Sequence, residues 1–165
     1  MNLISKSVFN DRISGGHMNN YAVRLCNEDD IEDIYGLQKK WFNEDITYGF
    51  IPGDREYLKA KIGDYFYVAE IDEIIIGFIY GTIHEPKDLS IFPDGTKYIE
   101  IDDVYIDFEY RDTGIGGSLL DTILETGQKN GIEKSLVYSA TKDSKKTMNF
   151  YKKHGYKSWF VQMFK

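Results

Sequence analysis

The strongest constraint in the chain is a strand-like run that leads into a glycine-containing turn and a helix. The run is Ile99-Glu100-Ile101-Asp102-Asp103-Val104-Tyr105-Ile106, and Arg111-Asp112-Thr113-Gly114-Ile115-Gly116-Gly117-Ser118-Leu119-Leu120 follows it. The helix reading rests on Ile115, Leu119, Leu120, Ile123 and Leu124, which fall on one face at the 3.6-residue period. A turn of this kind presents unpaired backbone N–H groups beside the positive end of a helix dipole, a ready site for phosphate. Gly114 and Gly116 allow positive φ and close approach of a ligand to the backbone.

Three common phosphate or nucleophile motifs do not fit. A Walker A loop ends in Gly-Lys-Ser/Thr, whereas Gly116 and Gly117 precede Ser118 and Leu119. A dinucleotide fingerprint needs glycine at 119, and a nucleophile elbow needs it at 120; both positions are leucine. What remains is Arg111-x-x-Gly114-x-Gly116 behind a strand with acidic residues. In this the chain resembles the GNAT superfamily of acetyl-CoA-dependent N-acetyltransferases, whose pyrophosphate loop has the form Gln/Arg-x-x-Gly-x-Gly/Ala.

A second segment carries the same resemblance. Ser144 to Tyr156 reads as a helix with Met148, Tyr151 and Thr147 on one side, ending in basic residues and a C′-type glycine at Gly155. In the family this helix closes as Tyr-x-x-x-Gly-Phe, which places Tyr151 at the family's tyrosine near the coenzyme A sulfur and Tyr156 at its aromatic. A strand over Lys134 to Ala140 lies between the loop and the tyrosine. Ser144 and Thr147 depart from the family's usual Asn and Ala.

Upstream, Tyr21 to Leu25 reads as a first strand, and Asn27 as the N-cap of a helix with Ile31, Ile34, Tyr35 and Leu37 inward. A second helix is expected over Asp54 to Ile62, and a hairpin over Tyr65 to Ile71 and Ile74 to Thr82, turning at Asp72-Glu73. The fold expected is therefore α+β: a GNAT-like twisted, mixed β-sheet of about six strands with helices on both faces. Residues 1–18 read as a mobile leader, and 19–165 as a single N-acetyltransferase domain.

Composition narrows the function. The net charge of −7 argues against nucleic acid as a partner. No apolar run is long enough for a membrane helix and no signal-peptide core is visible, so a cytoplasmic setting is expected and no membrane partner. The single cysteine, Cys26, forms no internal disulfide, and His17, His84 and His154 have no metal-ligand spacing, so no metal is expected.

The resemblance implies the chemistry. On a regular strand Glu100, Asp102 and Val104 share one face, and Ile101, Asp103 and Tyr105 the other. A carboxylate at position 100 or 102 would accept the proton of the amine, with Glu100 favoured. Backbone groups of Val104, Tyr105 and Ile106 would hold the pantetheine arm, one N–H facing the thioester oxygen. Arg111, Asp112, Thr113, Gly114, Ile115, Gly116, Gly117 and Ser144 would bind the coenzyme, and Tyr151 would protonate the departing thiolate.

The co-substrate implied is acetyl-CoA and the acceptor an amine, attacked directly without a covalent enzyme intermediate. The acidic balance favours a small cationic amine. Protein N-termini or lysines are the second reading, and a non-enzymatic acyl-CoA-binding module the third. Residues 41–53 and 84–97, both rich in aromatics and acids, would shape the acceptor pocket. The segment after Gly155 is shorter than in many relatives, which leaves that pocket open or completed by the second subunit of a homodimer.

Overall fold

The computed structural model describes residues 8–9, 20–86 and 89–165. The remainder of the expected leader, including His17, lies outside the described residues, as does Asp88 of the second pocket segment. Within the leader's span one short strand is described, β1 (Val8–Phe9), paired antiparallel with β2 (Ala22–Leu25).

Asn27 caps not the long helix itself but a single 3₁₀ turn, Glu28–Asp30, through a reciprocal pair of side-chain bonds with Asp30. That turn feeds α1 (Ile31–Glu44), followed by α2 (Arg55–Ala60), which Asp54 caps at its start. The second helix is thus shorter at both ends than expected.

The hairpin is β3 (Phe66–Ile71) and β4 (Ile74–His84), with Asp72 and Glu73 both at positive φ in the turn. Positive φ at both central residues gives a primed turn, whose twist matches that of the flanking strands. Next come β5 (Tyr98–Ile106), α3 (Ile115–Lys129), β6 (Lys134–Val137) and α4 (Ser144–Lys153).

The described strands form one sheet in the order β1-β2-β3-β4-β5-β6. Neighbours are antiparallel up to β5, and β5 pairs β6 in parallel, so the sheet is mixed. Each face carries its own core. Ile31, Ile34 and Leu37 of α1 pack with Phe66, Phe78, Tyr80 and Tyr105 on one side. Leu119, Leu120 and Ile123 of α3 pack with Ile79, Ile99 and Ile101 on the other. Each fully buried leucine or isoleucine contributes roughly 1.5–3 kcal/mol, before the entropy of ordering it is subtracted.

In α4 the inward residues are Thr147, Phe150 and Tyr151, while Met148 is exposed. The lysines at 145, 146, 152 and 153 take the opposite side. Tyr151 is therefore placed as expected and Met148 is not.

Candidate active site

The site is built on a register break. Tyr80 pairs Asp103 and Gly81 pairs Ile101, so Asp102 is an extra residue in β5. Such a bulge re-aims every side chain that follows it. Gly81 makes the close approach possible: a Cβ there would lie 2.6 Å from the Glu100 carbonyl oxygen. At the same point the parallel pairing of β5 with β6 stops, at Ile101 and Val137, while β5 runs on to Ile106. The second half of β5 therefore has an open edge on the β6 side.

The N-terminus of α3 lies beside that edge. A Cβ built on Gly116 would sit 3.7 Å from Ile106 Cγ1 and 3.7 Å from Phe150 Cε2, so α3, the end of β5 and α4 meet there. Gly114 stands before α3 at φ 91°, and no side chain caps the helix. Ser118 N–H bonds the Gly114 carbonyl at 3.0 Å, leaving the N–H groups of Ile115, Gly116 and Gly117 as the helix's orphan donors. Asp112, at φ 62°, pairs with Lys146 at 3.1 Å and draws the start of α4 toward the loop. Thr113 Oγ1 donates to the Tyr110 carbonyl at 2.6 Å, and Ser144 is exposed as the first residue of α4.

Arg111 turns the other way. Its two terminal nitrogens grip Glu44, each at 2.7 Å, and Nε donates to the Ile106 carbonyl at 2.9 Å. Its guanidinium lies 5.2 Å from the centre of the Tyr105 ring, and Tyr105 also donates to Glu44. Burial raises the Glu44 carboxyl, but the bonds from Arg111 and Tyr105 outweigh it and hold the group below the usual range. The Arg111 side chain thus ties the end of α1 to the end of β5, and the Tyr105 side chain belongs to the α1 layer.

The bulge also changes which carboxylates meet. Glu100, Asp102 and Asp103 all lie on the α1–α2 side, while Val104 and Ile106 join Ile99 and Ile101 on the α3 side. The regular alternation expected for β5 fails at Asp102 for this reason. Asp102 accepts from Lys61 Nζ at 2.9 Å and from Thr82 Oγ1 at 2.6 Å. Burial lowers the Lys61 ammonium, but the bond and charge of Asp102 more than restore it, so it stays charged.

Asp103 accepts from the Tyr80 hydroxyl and from Gln38 Nε2 at 3.4 Å. Burial pushes its carboxyl up, the Tyr80 bond opposes this in part, and the Asp102 charge adds to the rise. Glu100 is the least engaged of the three. Its partner is His84 Nε2, 3.8 Å away, and its side chain is 27% exposed.

The model of the acetyltransferase (GNAT) family matches residues 31–156. The chain belongs to this family. No curated protein gives a significant sequence match. Among solved structures, an aminoglycoside acetyltransferase from an uncultured soil metagenomic sample superposes with a TM-score of 0.66 at 19% identity, over 88% of this chain and 95% of that one. The aminoglycoside acetyltransferase AAC(6')-Iy, solved with a bisubstrate analogue of coenzyme A, gives 0.68 at 16%, over 88% and 97%. A predicted acetyltransferase from Clostridium acetobutylicum, solved with acetyl-CoA, gives 0.66 at 18%, over 87% and 95%.

As a GNAT protein the chain is an acyltransferase, and three further features bear on that chemistry. Tyr151 is buried, in edge contact with Phe150 at 5.0 Å and Tyr156 at 5.2 Å. Among the described residues none hydrogen-bonds its hydroxyl, and burial, then Tyr156, push its phenol well above the ordinary tyrosine value. No group of three or more His, Cys, Asp or Glu among the described residues is arranged to hold a metal. None of the described helices is long and apolar enough to cross a membrane.

Lys61, Tyr80 and Gln38 entered the site without a sequence signal of their own, whereas Glu44 and His84 lie in the two segments expected to shape the acceptor pocket. The adjacent acids Asp102-Asp103 opposite Gly81 are the one trace the bulge leaves in the sequence.

Proposed function

We propose that this protein transfers the acetyl group of acetyl-CoA to a small cationic primary amine by direct attack. The observation that carries the reading is the meeting of an uncapped, glycine-opened helix N-terminus with the open edge of β5, behind a carboxylate-bearing face. The orphan donors at 115–117 suit a pyrophosphate, and the open edge from Val104 to the Ile106 N–H, short of the carbonyl that Arg111 holds, suits a pantetheine amide arm. Because the Arg111 side chain is held by Glu44, the anion rests chiefly on backbone N–H groups, with Lys146 nearby. This matters in a chain of net charge −7, where only local donors offset the global field.

Glu100 is the base. Asp102 is neutralised by Lys61, and Asp103 is buried behind Tyr80 and Gln38, whereas Glu100 is partly exposed, with His84 its one ion-pair partner among the described residues. An alkylammonium must lose a proton before it can attack, which costs roughly 4–5 kcal/mol at neutral pH. Glu100 takes that proton and passes it to water. Acetyl-CoA supplies the acetyl group: the amine nitrogen bonds to the acetyl carbon as the carbon–sulfur bond breaks, and the nitrogen's second proton balances the thiol.

Tyr151, packed against Phe150 where α4 meets α3 and the end of β5, is the residue that would hydrogen-bond the departing sulfur on this reading. Transfer from an ordinary phenol to a thiolate is uphill by roughly 2 kcal/mol, and burial raises the Tyr151 phenol further. Its contribution is therefore a hydrogen bond more than a completed transfer. The test is Glu100→Gln, assayed for amine-dependent thiol release from pH 6 to 10. The rate should fall about 10²-fold or more at neutral pH and recover toward wild type where the amine is already free base. An equal loss at every pH would remove Glu100 from the role of base.

A further inference from the structure

On the acetyl-transfer reading above, we propose that the acceptor is a primary amine with a flat apolar body, an aralkylamine. Its ammonium would sit on Glu100 and its ring against an aromatic border formed by His84, Tyr98, Tyr138 and Phe160. Among the described residues no helix covers the β6 end of the sheet face that bears Glu100. Tyr98 and Glu100 of β5 pair with Lys134 and Leu136 of β6, and Tyr138 follows directly on the end of β6.

The rings on this face are joined: Tyr98 is buried, while His84 is half-buried and Tyr138 and Phe160 are exposed around it. His84 stacks on Tyr98 with centroids 5.4 Å apart and planes 25° from parallel, and Phe92 tilts onto Tyr98 at 5.5 Å. Burial raises the Tyr98 phenol, and the charges of Glu100 and Tyr138 raise it further. Tyr138, 52% exposed, meets Phe160 at 6.4 Å. The segment after α4 continues across this end to Phe164, whose ring stands edge-on to Tyr48 at 5.3 Å. The loop bearing Tyr48 is itself tied down, with Thr47 bridging Thr141 and Tyr48 N–H donating to the Ala140 carbonyl at 2.9 Å.

Charge complementarity selects an amine as the occupant. Of the lysines on this side, Lys61 is neutralised by Asp102 at 2.9 Å and Lys142 by Asp45 at 2.6 Å, while Lys134 stands beside Tyr98 at the far end of the face. Among the described residues no lysine or arginine pairs with Glu100, so an incoming ammonium completes the balance. The rings supply what a purely acidic cleft lacks: faces that attract both a cation and a flat apolar group. A linear polyamine would leave those faces wet.

The test compares phenethylamine, tyramine, butylamine and putrescine as acceptors, with acetyl-CoA binding measured separately on the same protein. Phenethylamine or tyramine should exceed butylamine and putrescine by at least tenfold in kcat/KM. Tyr138→Ala and Phe160→Ala, at exposed positions that leave the core intact, should each lower the phenethylamine-to-butylamine ratio at least fivefold. Equal or better turnover of putrescine or butylamine, or an unchanged ratio in both variants, would overturn the aromatic acceptor while leaving acetyl transfer in place. Bound acetyl-CoA with no turnover of any amine would overturn both.

Discussion

Tyr80 of β4 stands opposite Asp103 of β5, and its hydroxyl donates to the Asp103 carboxylate inside the α1-side core. The pairing exists because Asp102 is bulged; without the extra residue Asp103 would face α3. Burial holds the Asp103 carboxyl above its ordinary value, so the native state keeps this proton more tightly than the unfolded chain does. Stability from this group is then lost as pH rises from about 4 through the raised native value. Asp103→Asn should remove that decline and flatten the stability profile on its alkaline side. Urea unfolding at a series of pH values checks this, and superimposable profiles for the two proteins would contradict it.

Arg111→Lys separates a brace from an anion ligand. Lysine cannot reproduce the two-pronged grip on Glu44, so unfolding should become easier by about 1–2 kcal/mol. Coenzyme affinity, measured by calorimetry, should stay within a few-fold. A loss of affinity beyond tenfold with unchanged stability would show that the guanidinium leaves Glu44 to meet the pyrophosphate.

Gly116→Ala tests the helix N-terminus with little risk to the fold. The added methyl meets Ile106 and Phe150 at ordinary contact distance, and alanine is favoured over glycine within a helix by about 0.5–1 kcal/mol. The melting temperature should hold or rise while acetyl-CoA affinity falls at least tenfold. Unchanged affinity would mean that the phosphates do not approach this turn.

The turn and helix at 114–129 were legible in the sequence because glycine placement and apolar period are local signals. So was the inward placement of Tyr151. The carboxylate geometry was not. Strand alternation puts Glu100 and Asp103 on opposite faces, and one inserted residue at Asp102 reverses that without altering composition. The role of Arg111 was hidden differently, since its partner Glu44 lies 67 residues earlier and meets it only through packing of α1 on the sheet. Met148 misled because its spacing fits the helical face, but the chain gives that face to Phe150.

Tyr151→Phe should leave the fold and coenzyme affinity nearly unchanged, since the hydroxyl has no partner among the described residues and the ring does the packing. The turnover number should drop at least tenfold. A drop of less than twofold would reduce Tyr151 to a packing residue.

The most direct measurement is thiol release from acetyl-CoA by the wild-type protein, with each primary amine present or omitted and the products weighed by mass spectrometry. The account predicts thiol that appears only when an amine is present, with one N-acetylated amine formed per thiol. Acetyl-CoA that binds but releases no amine-dependent thiol across the panel would contradict it.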